Sequence, residues 1–322
     1  MHLPDRQSMQ CAIDTGQCTE RDARRMGIES VCVAARDVDG PAMAVHAARD
    51  CLAVAHVDPG DVDLLVYVRN HDEGHVLWPV ASYLQNELEA CNSRVIELRQ
   101  MSNGGLAALD VVIRAVRAGE TVLLVASDTF KEPIFDRFSS DPGTVFADGA
   151  VAMVFANGHE GIADILSLAH ASAPELEILS RPQHRYGVDE QPVNFHAAQK
   201  SGIAEVGLGS VVDILEHNQI RVVDDALKLA GVTRDEISIF VLPNLGKPRL
   251  SAQLINPLGL TLESTMWNWG RTVGHLGAGD QLAGLHHAID SGRLRPGELA
   301  CLVGVGGGFT WSAAIVQLRG SG

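Results

Sequence analysis

The strongest constraint on this chain is that it repeats itself. Residues 44–68 run as an apolar-periodic helix, the turn His56-Val57-Asp58-Pro59-Gly60-Asp61-Val62-Asp63, and the apolar run Leu64-Leu65-Val66-Tyr67-Val68. Residues 222–242 repeat that order: a helix ending Lys228-Leu229-Ala230, the turn Gly231-Val232-Thr233-Arg234-Asp235-Glu236-Ile237-Ser238, and the run Ile239-Phe240-Val241-Leu242. Val57 corresponds to Val232 and Val62 to Ile237, each 175 positions on. A helical period that gives way to a short continuous apolar run predicts a helix followed by a buried strand.

The repeat extends downstream. In the first half a strand near Val95-Ile96-Glu97-Leu98 enters Met101-Ser102-Asn103-Gly104-Gly105, followed by a helix to about Ala118 and a strand Thr121-Val122-Leu123-Leu124-Val125-Ala126. In the second, Met266-Trp267-Asn268-Trp269 leads to Gly274-His275-Leu276-Gly277-Ala278-Gly279-Asp280, a helix to about Ser291, and the strand Leu299-Ala300-Cys301-Leu302-Val303. Alternating strand and helix predicts an α/β fold of mostly parallel strands between helical layers. The expected organisation is an N-terminal half over 1–160, a connecting segment lining a pocket over 161–205, and a C-terminal half over 206–322. If the halves pack about a pseudo-twofold axis, the two strand-to-helix turns face each other, and Ser102 and His275 are their polar residues.

Composition narrows the function classes. The 322 residues exceed the ~150 of a typical single domain, and with 46% hydrophobic and 20% charged residues the chain can bury a large core. Twenty-five basic against 40 acidic residues give a net charge of −15, with no basic cluster, so nucleic acid is not an expected partner. The N-terminus lacks a signal-peptide core and no run approaches the ~18 apolar residues of a membrane helix; a soluble cytoplasmic protein without membrane partners is expected. The six cysteines are dispersed, without CxxC spacing, and read as reduced thiols that mostly fill the core.

Three segments carry residue types suited to chemistry. Ser102 lies between a strand and a helix start, where backbone N–H groups and the positive helix end stabilise an oxyanion. Serine at such a place is equally the residue that caps helices. Around His275, Gly274, Gly277, Ala278 and Gly279 allow another backbone or a ligand to come close. A neutral imidazole there accepts a hydroxyl proton if another group holds its far nitrogen. Asp280, five residues on, is placed for that, or is a first-turn acid favoured by the helix dipole. The run Val305-Gly306-Gly307-Gly308-Phe309-Thr310-Trp311 lacks the features of a phosphate-binding loop. It offers backbone amides to a reacting carbonyl, or a tight hairpin. His71 and His75 have metal-like spacing but lie in a stretch that reads as a solvated loop, so no metal site is expected. His286-His287 read as a helix face, and Trp267 and Trp269 as core or pocket wall.

Taken together, residues 57–68, Phe146-Ala147-Asp148-Gly149-Ala150-Val151-Ala152, and Arg295-Pro296-Gly297-Glu298 leading to Gly306-Gly307-Gly308-Phe309-Thr310-Trp311 resemble the ketoacyl-acyl-carrier-protein synthase III family of the thiolase-like superfamily, over nearly the whole chain. The resemblance implies a duplicated, five-layered αβαβα subunit and a homodimer. It also exposes departures. The family's nucleophilic cysteine matches Ser102, its histidine falls at about Pro243-Asn244, and its asparagine matches His275. The His-Asn pair of decarboxylating condensation is therefore missing. A serine hydroxyl needs an adjacent general base where a thiolate does not, so a histidine gained opposite the serine points to Ser-His-Asp acyl transfer.

In these respects the chain resembles a divergent branch of acyltransferases of antibiotic biosynthesis, or enzymes that select starter units for aromatic polyketides. The implied roles are Ser102 as acylated nucleophile, His275 as base, Asp280 as its orienter, and the N–H groups of Ser102 and Gly307 as oxyanion hole. No resident cofactor is implied; the donor is a coenzyme A or acyl-carrier-protein thioester. Arg25 matches an arginine that holds coenzyme A in the family, and Arg21 replaces a tryptophan. Lys247 and Arg249, near the expected pocket mouth, offer a basic patch to an acidic carrier, or are two solvated charges on a proline-containing loop. The expected activity is transfer of the acyl group to a hydroxyl or amine of a small specialised metabolite. Its rivals are a starter-unit synthase that forms a carbon–carbon bond and a non-catalytic partner of an active homologue. The family's first strand, before the Leu-Pro pair matched by Leu3-Pro4, has no counterpart here, which leaves either a sheet one strand short or a start upstream.

Overall fold

Runs that are apolar on both faces rest only between two covering layers, and the fold is built on such runs. The computed structural model describes residues 1–72, 75, 77–158, 161–181 and 192–320. Its strands are β1 (Arg6–Ser8), β2 (Ser30–Cys32), β3 (Leu64–Val68), β4 (Arg94–Leu98), β5 (Val122–Asp128), β6 (Gly149–Phe155), β7 (Ala163–Ser172), β8 (Ile237–Val241), β9 (Leu299–Gly306) and β10 (Thr310–Leu318). One four-stranded sheet has the order β4-β3-β5-β6, a second β7-β10-β9-β8, and β1 pairs with β2. Every residue of β3 and β5 is buried.

Helices Gly40–Ala55 and Val80–Glu87 cover the outside of the first sheet, and Leu208–Ala230 covers the second. Helices Gly104–Arg117 and Asp280–Asp290 lie between the sheets and touch both. The layers are thus αβαβα, and the duplication is visible in them: β3, β5 and β6 correspond to β8, β9 and β10. Each half has a remnant where the other has a strand. The place of β4 is held in the second half by a single bridge from Phe240 to Thr265, and the place of β7 in the first half by one from His2 to Ala150.

Two expectations need correction. Pairs β3–β4, β3–β5 and β8–β9 are parallel, but β5–β6, β9–β10 and β10–β7 are antiparallel, so the strands are not mostly parallel. A parallel neighbour needs a long crossover. Only residues 307–309 join β9 to β10, and 129–148 form no helix to carry one. Within the expected connector 161–205, β7 is an integral strand of the second sheet.

Glycine brings the halves together where the site will lie. A Cβ on Gly105 would fall 2.4 Å from the Ala278 carbonyl oxygen, and one on Gly104 2.6 Å from Val68 Cγ1 and 3.1 Å from Ala278 Cβ. Without side chains at these two positions, the start of one central helix rests directly on the turn before the other.

The Phe146-to-Ala150 segment is anchored by a buried ion pair. Asp148, fully buried, accepts from Arg137 Nη1 and Nη2 at 3.1 and 2.9 Å and from the Ala34 and Phe130 amides at 2.8 Å each. Removing one partner of such a pair strands a charge away from water. Arg137→Met is expected to lower stability by about 3–5 kcal/mol in urea unfolding; a loss below about 1 kcal/mol would show that the pair is dispensable.

Candidate active site

Sequence-local geometry lifts Ser102 out of the sheet. After β4 the chain turns sharply, with Met101 in the left-handed region at φ 50°, and Met101–Asn103 form one 3-10 turn before the central helix. The helix start has no side-chain cap. Instead Ser102 Oγ lies 2.7 Å from His275 Nε2, across 173 positions of sequence. Asn103, buried behind it, donates through Nδ2 to Thr310 Oγ1 at 3.2 Å and to Ser312 Oγ at 3.0 Å, which pins the turn to β10.

His275 is held by its backbone as well as its ring. Its N–H donates to the Val145 carbonyl at 2.9 Å, its carbonyl accepts from Ala147 at 2.8 Å, and the Phe146 ring lies 5.8 Å from the imidazole. Such closeness requires glycine at 274, where a Cβ would meet Val31 Cγ1 at 2.7 Å and Ala147 Cβ at 2.9 Å. The Nδ1 edge of His275 hydrogen-bonds Asp280 Oδ2. Both are buried, His275 2% exposed and Asp280 not at all. With Nδ1–H donating to a carboxylate, Nε2 is left with its lone pair toward the Ser102 hydroxyl, which then donates to it.

Asp280 has further donors. Asn244 N–H reaches Oδ2 at 2.8 Å, while Asn244 Nδ2 and Leu276 N–H reach Oδ1 at 3.0 and 2.8 Å. A second carboxylate holds the same turn from the other sheet. Asp128, at the end of β5, accepts from the amides of Asn70 at 2.7 Å and Ala278 at 3.1 Å. A Cβ on Gly277 would come within 2.3 Å of its Oδ2. Sequence reading assigned no role to Asn244 or Asp128. The signal for Asp128 was an acid closing a mostly apolar strand; Asn244 carried none beyond falling about where the family's histidine does.

The glycine run is a hairpin between β9 and β10, and it also packs on the Ser102 turn. A Cβ on Gly306 would lie 2.5 Å from the Gln100 carbonyl oxygen, and one on Gly307 2.7 Å from Ser180 Oγ and 3.7 Å from Met101 Cγ.

The expected donor-binding residues form a rim around Pro142-Gly143. Exposed Arg25 donates to the Pro142 carbonyl at 3.2 Å and pairs with Asp22. Exposed Lys247 opens the short helix Lys247–Leu250, which replaces the expected loop. Its neighbour Arg249 is engaged: both terminal nitrogens bind Asp141, and one reaches Thr144 Oγ1 at 3.2 Å. Arg249 is therefore neither a solvated charge nor an unpaired member of a basic patch. Beside this rim a cavity of about 520 Å³ is lined by Ser139, Ser140, Pro142, Val193 and His196, among others. The ring of Phe195, the neighbour of His196, lies 6.3 Å from that of Phe146, which lies 5.8 Å from the His275 ring.

Other candidates resolve simply. Among the described residues no cluster of histidines, cysteines and acids is suited to a metal. His71 Nε2 lies 2.8 Å from the Thr129 carbonyl, its ring tilts on Phe135, and burial holds its pKa below the ordinary histidine value. His287 stacks on buried Trp269. Only Cys32 and Cys301 are core residues, whereas Cys18 and Cys51 are half-buried and Cys11 and Cys91 exposed, which corrects the expectation that the thiols mostly fill the core. Burial pushes the Cys32 and Cys301 thiols up to about 11 and 12. Within the pocket-lining connector expected over 161–205, Pro174–Leu179 form a 3-10 helix, and residues 182–191 lie outside the described residues. No helix among those described is long and apolar enough to cross a membrane.

The paired sheets, the central helices and the facing turns define a thiolase-like chain. Comparison with known proteins agrees: residues 96–174 match the family described as 3-oxoacyl-[acyl-carrier-protein] synthase III, and 227–318 its C-terminal part. The structure of ChlB3, described as an acyltransferase, is 31% identical, covers 99% of this chain and 95% of its own, and superposes with a TM-score of 0.91. A 3-oxoacyl-[acyl-carrier-protein] synthase III from Aquifex aeolicus shares the fold at 23% identity and TM-score 0.78, over 98% of this chain and 97% of its own. The beta-ketoacyl-[acyl-carrier-protein] synthase III of Pasteurella multocida is 24% identical over 98% of this chain and 95% of its own length. The chain belongs to the 3-oxoacyl-[acyl-carrier-protein] synthase III family, and its likeness to ChlB3 supports the divergent acyltransferase branch.

Proposed function

We propose that the protein is an acyltransferase that takes an acyl group from a coenzyme A or acyl-carrier-protein thioester onto Ser102 and passes it to a hydroxyl or amine of a small specialised metabolite. The observation that carries this reading is the hydrogen-bonded series from Ser102 Oγ through His275 to Asp280. Its similarity to a beta-ketoacyl-[acyl-carrier-protein] synthase III and to an acyltransferase supports acyl chemistry in general.

In the first step Ser102 Oγ attacks the thioester carbonyl and His275 Nε2 takes the hydroxyl proton. The negative charge collects on the carbonyl oxygen, where the N–H groups of Ser102 and Gly307 are assigned to receive it. Collapse breaks the carbon–sulfur bond, and the leaving thiolate takes the proton from His275. In the second step the acceptor O–H or N–H gives its proton to His275 as it attacks the acyl carbonyl, and Ser102 leaves with that proton. Asp280 stays ionised throughout and stabilises the imidazolium. Arg25 and Lys247, exposed at the rim, suit the phosphates of the donor; Arg249, paired with Asp141, is assigned to shaping that rim. A homodimer is proposed from the family alone.

Incubation with a panel of acyl-coenzyme A and acyl-carrier thioesters, read by intact mass and peptide mapping, is expected to show one acyl increment on the peptide that contains Ser102. An increment elsewhere, or none with any donor, would sink the reading. A product with a new carbon–carbon bond from a malonyl donor would select the starter-unit alternative.

A further inference from the structure

Asp280 is held by more donors than a triad carboxylate needs, and half of them come from one residue. Its two oxygens accept four hydrogen bonds, two each: Oδ2 from His275 Nδ1 and Asn244 N–H, Oδ1 from Leu276 N–H and the Asn244 amide. The acid and Asn244 are 0% and 6% exposed, and a donor lost from such a place is not readily replaced by solvent. The same Asn244 amide nitrogen also donates to the Gly274 carbonyl at 2.9 Å. Gly274 immediately precedes His275, so one NH₂ group links the carboxylate to the backbone that carries the base. Both partners are acceptors, which fixes the amide with its nitrogen toward them. Its oxygen faces Gly270, where a Cβ would fall only 2.2 Å away. Helix Trp267–Gly270 thus leaves room for the amide only because it ends in glycine.

We propose that Asn244 is a positioning residue of the acyl-transfer site: it fixes the rotation of the Asp280 carboxylate relative to the His275 ring, and Gly270 provides the space that holds it there. This rests on the reading of Ser102, His275 and Asp280 given above. The side chain must donate twice without charge. A leucine of the same shape donates nothing, and an aspartate would set a second carboxylate against the first.

The test is the rate at which an alkyl fluorophosphonate modifies Ser102, followed by intact mass between about pH 5 and 9. In that reaction the Oγ–P bond forms, fluoride leaves and His275 takes the proton, so the rate reports the paired hydroxyl without a known substrate. Asn244→Leu is expected to slow modification by about 10- to 100-fold. The pH midpoint should move down, because a carboxylate free to turn stabilises the imidazolium less. Asp280→Asn should slow the reaction more, and adding Asn244→Leu to it should cost little further, since the proposed role is exerted on the Asp280 carboxylate. Gly270→Ala, which displaces the amide without deleting it, is expected to repeat this pattern and serves if Asn244→Leu does not fold. An equal penalty from Asn244→Leu with or without Asp280, or no penalty in either background, would overturn the role of Asn244 while leaving the triad intact. A parent protein that does not react at Ser102, or is indifferent to Asp280→Asn, would instead overturn the functional reading and this inference with it.

Discussion

Ser102→Ala is expected to abolish the covalent acyl-enzyme and to slow acyl transfer by about 10⁴-fold or more. The size follows from what is deleted, the hydroxyl that His275 contacts, which the buried thiols do not replace. Cys32 and Cys301 are buried, with thiols raised to about 11 and 12, and so supply no thiolate at neutral pH. The hydroxyl that is deleted is the one within 2.7 Å of His275 Nε2. What remains is catalysis by binding and by oxyanion stabilisation, which persists when a triad nucleophile is lost. Folding should be nearly untouched, because Ser102 is only half-buried and its side chain caps no helix. The check is turnover with the donor identified by mass, alongside the acyl increment. Transfer at the parental rate in the alanine variant would eliminate Ser102 as nucleophile.

Asp280→Asn is expected to cost on the order of 10⁴-fold in turnover, the scale seen when a triad orienter becomes an amide. In the parent, His275 Nδ1–H donates to Oδ2, and Nε2 accepts from Ser102. An amide NH₂ placed at Oδ2 donates to Nδ1 instead, so the ring proton moves to Nε2. The base then meets the hydroxyl with a donor where an acceptor is required. The same NH₂ would also face the Asn244 N–H, so a stability loss of about 1–3 kcal/mol accompanies the kinetic one. Single-turnover acylation separates the two effects: a folded variant should acylate slowly at every pH between about 6 and 9. Parental acylation by that variant would remove Asp280 from the mechanism.

The legible parts of this protein were those whose cause is local. Helix Leu208–Ala230 ends at Ala230 because Gly231 adopts the left-handed cap that glycine tolerates. Strand β3 occupies the expected run Leu64–Val68, since five consecutive apolar residues can only be buried on both faces. Elements failed where neighbours decided them. Asp141 binds Arg249 across 108 positions, which no local pattern announces. Trp267–Gly270 forms a short helix where the duplication would place an edge strand, and Thr265 keeps only a bridge to Phe240.

The amino-acid sequence by itself determined the duplication, the two turns with Ser102 and His275 at their tips, and Asp280 one helical start beyond the histidine. Periodicity, caps and glycine act over a few residues and are readable there. Only the tertiary structure decided that the two tips meet at hydrogen-bond distance, that Asn244 clamps the carboxylate, and that Arg249 pairs with Asp141. Those choices depend on which surfaces of the two halves pack against each other, and a side chain's partner across more than a hundred residues is settled by that packing rather than by its own neighbours in the chain.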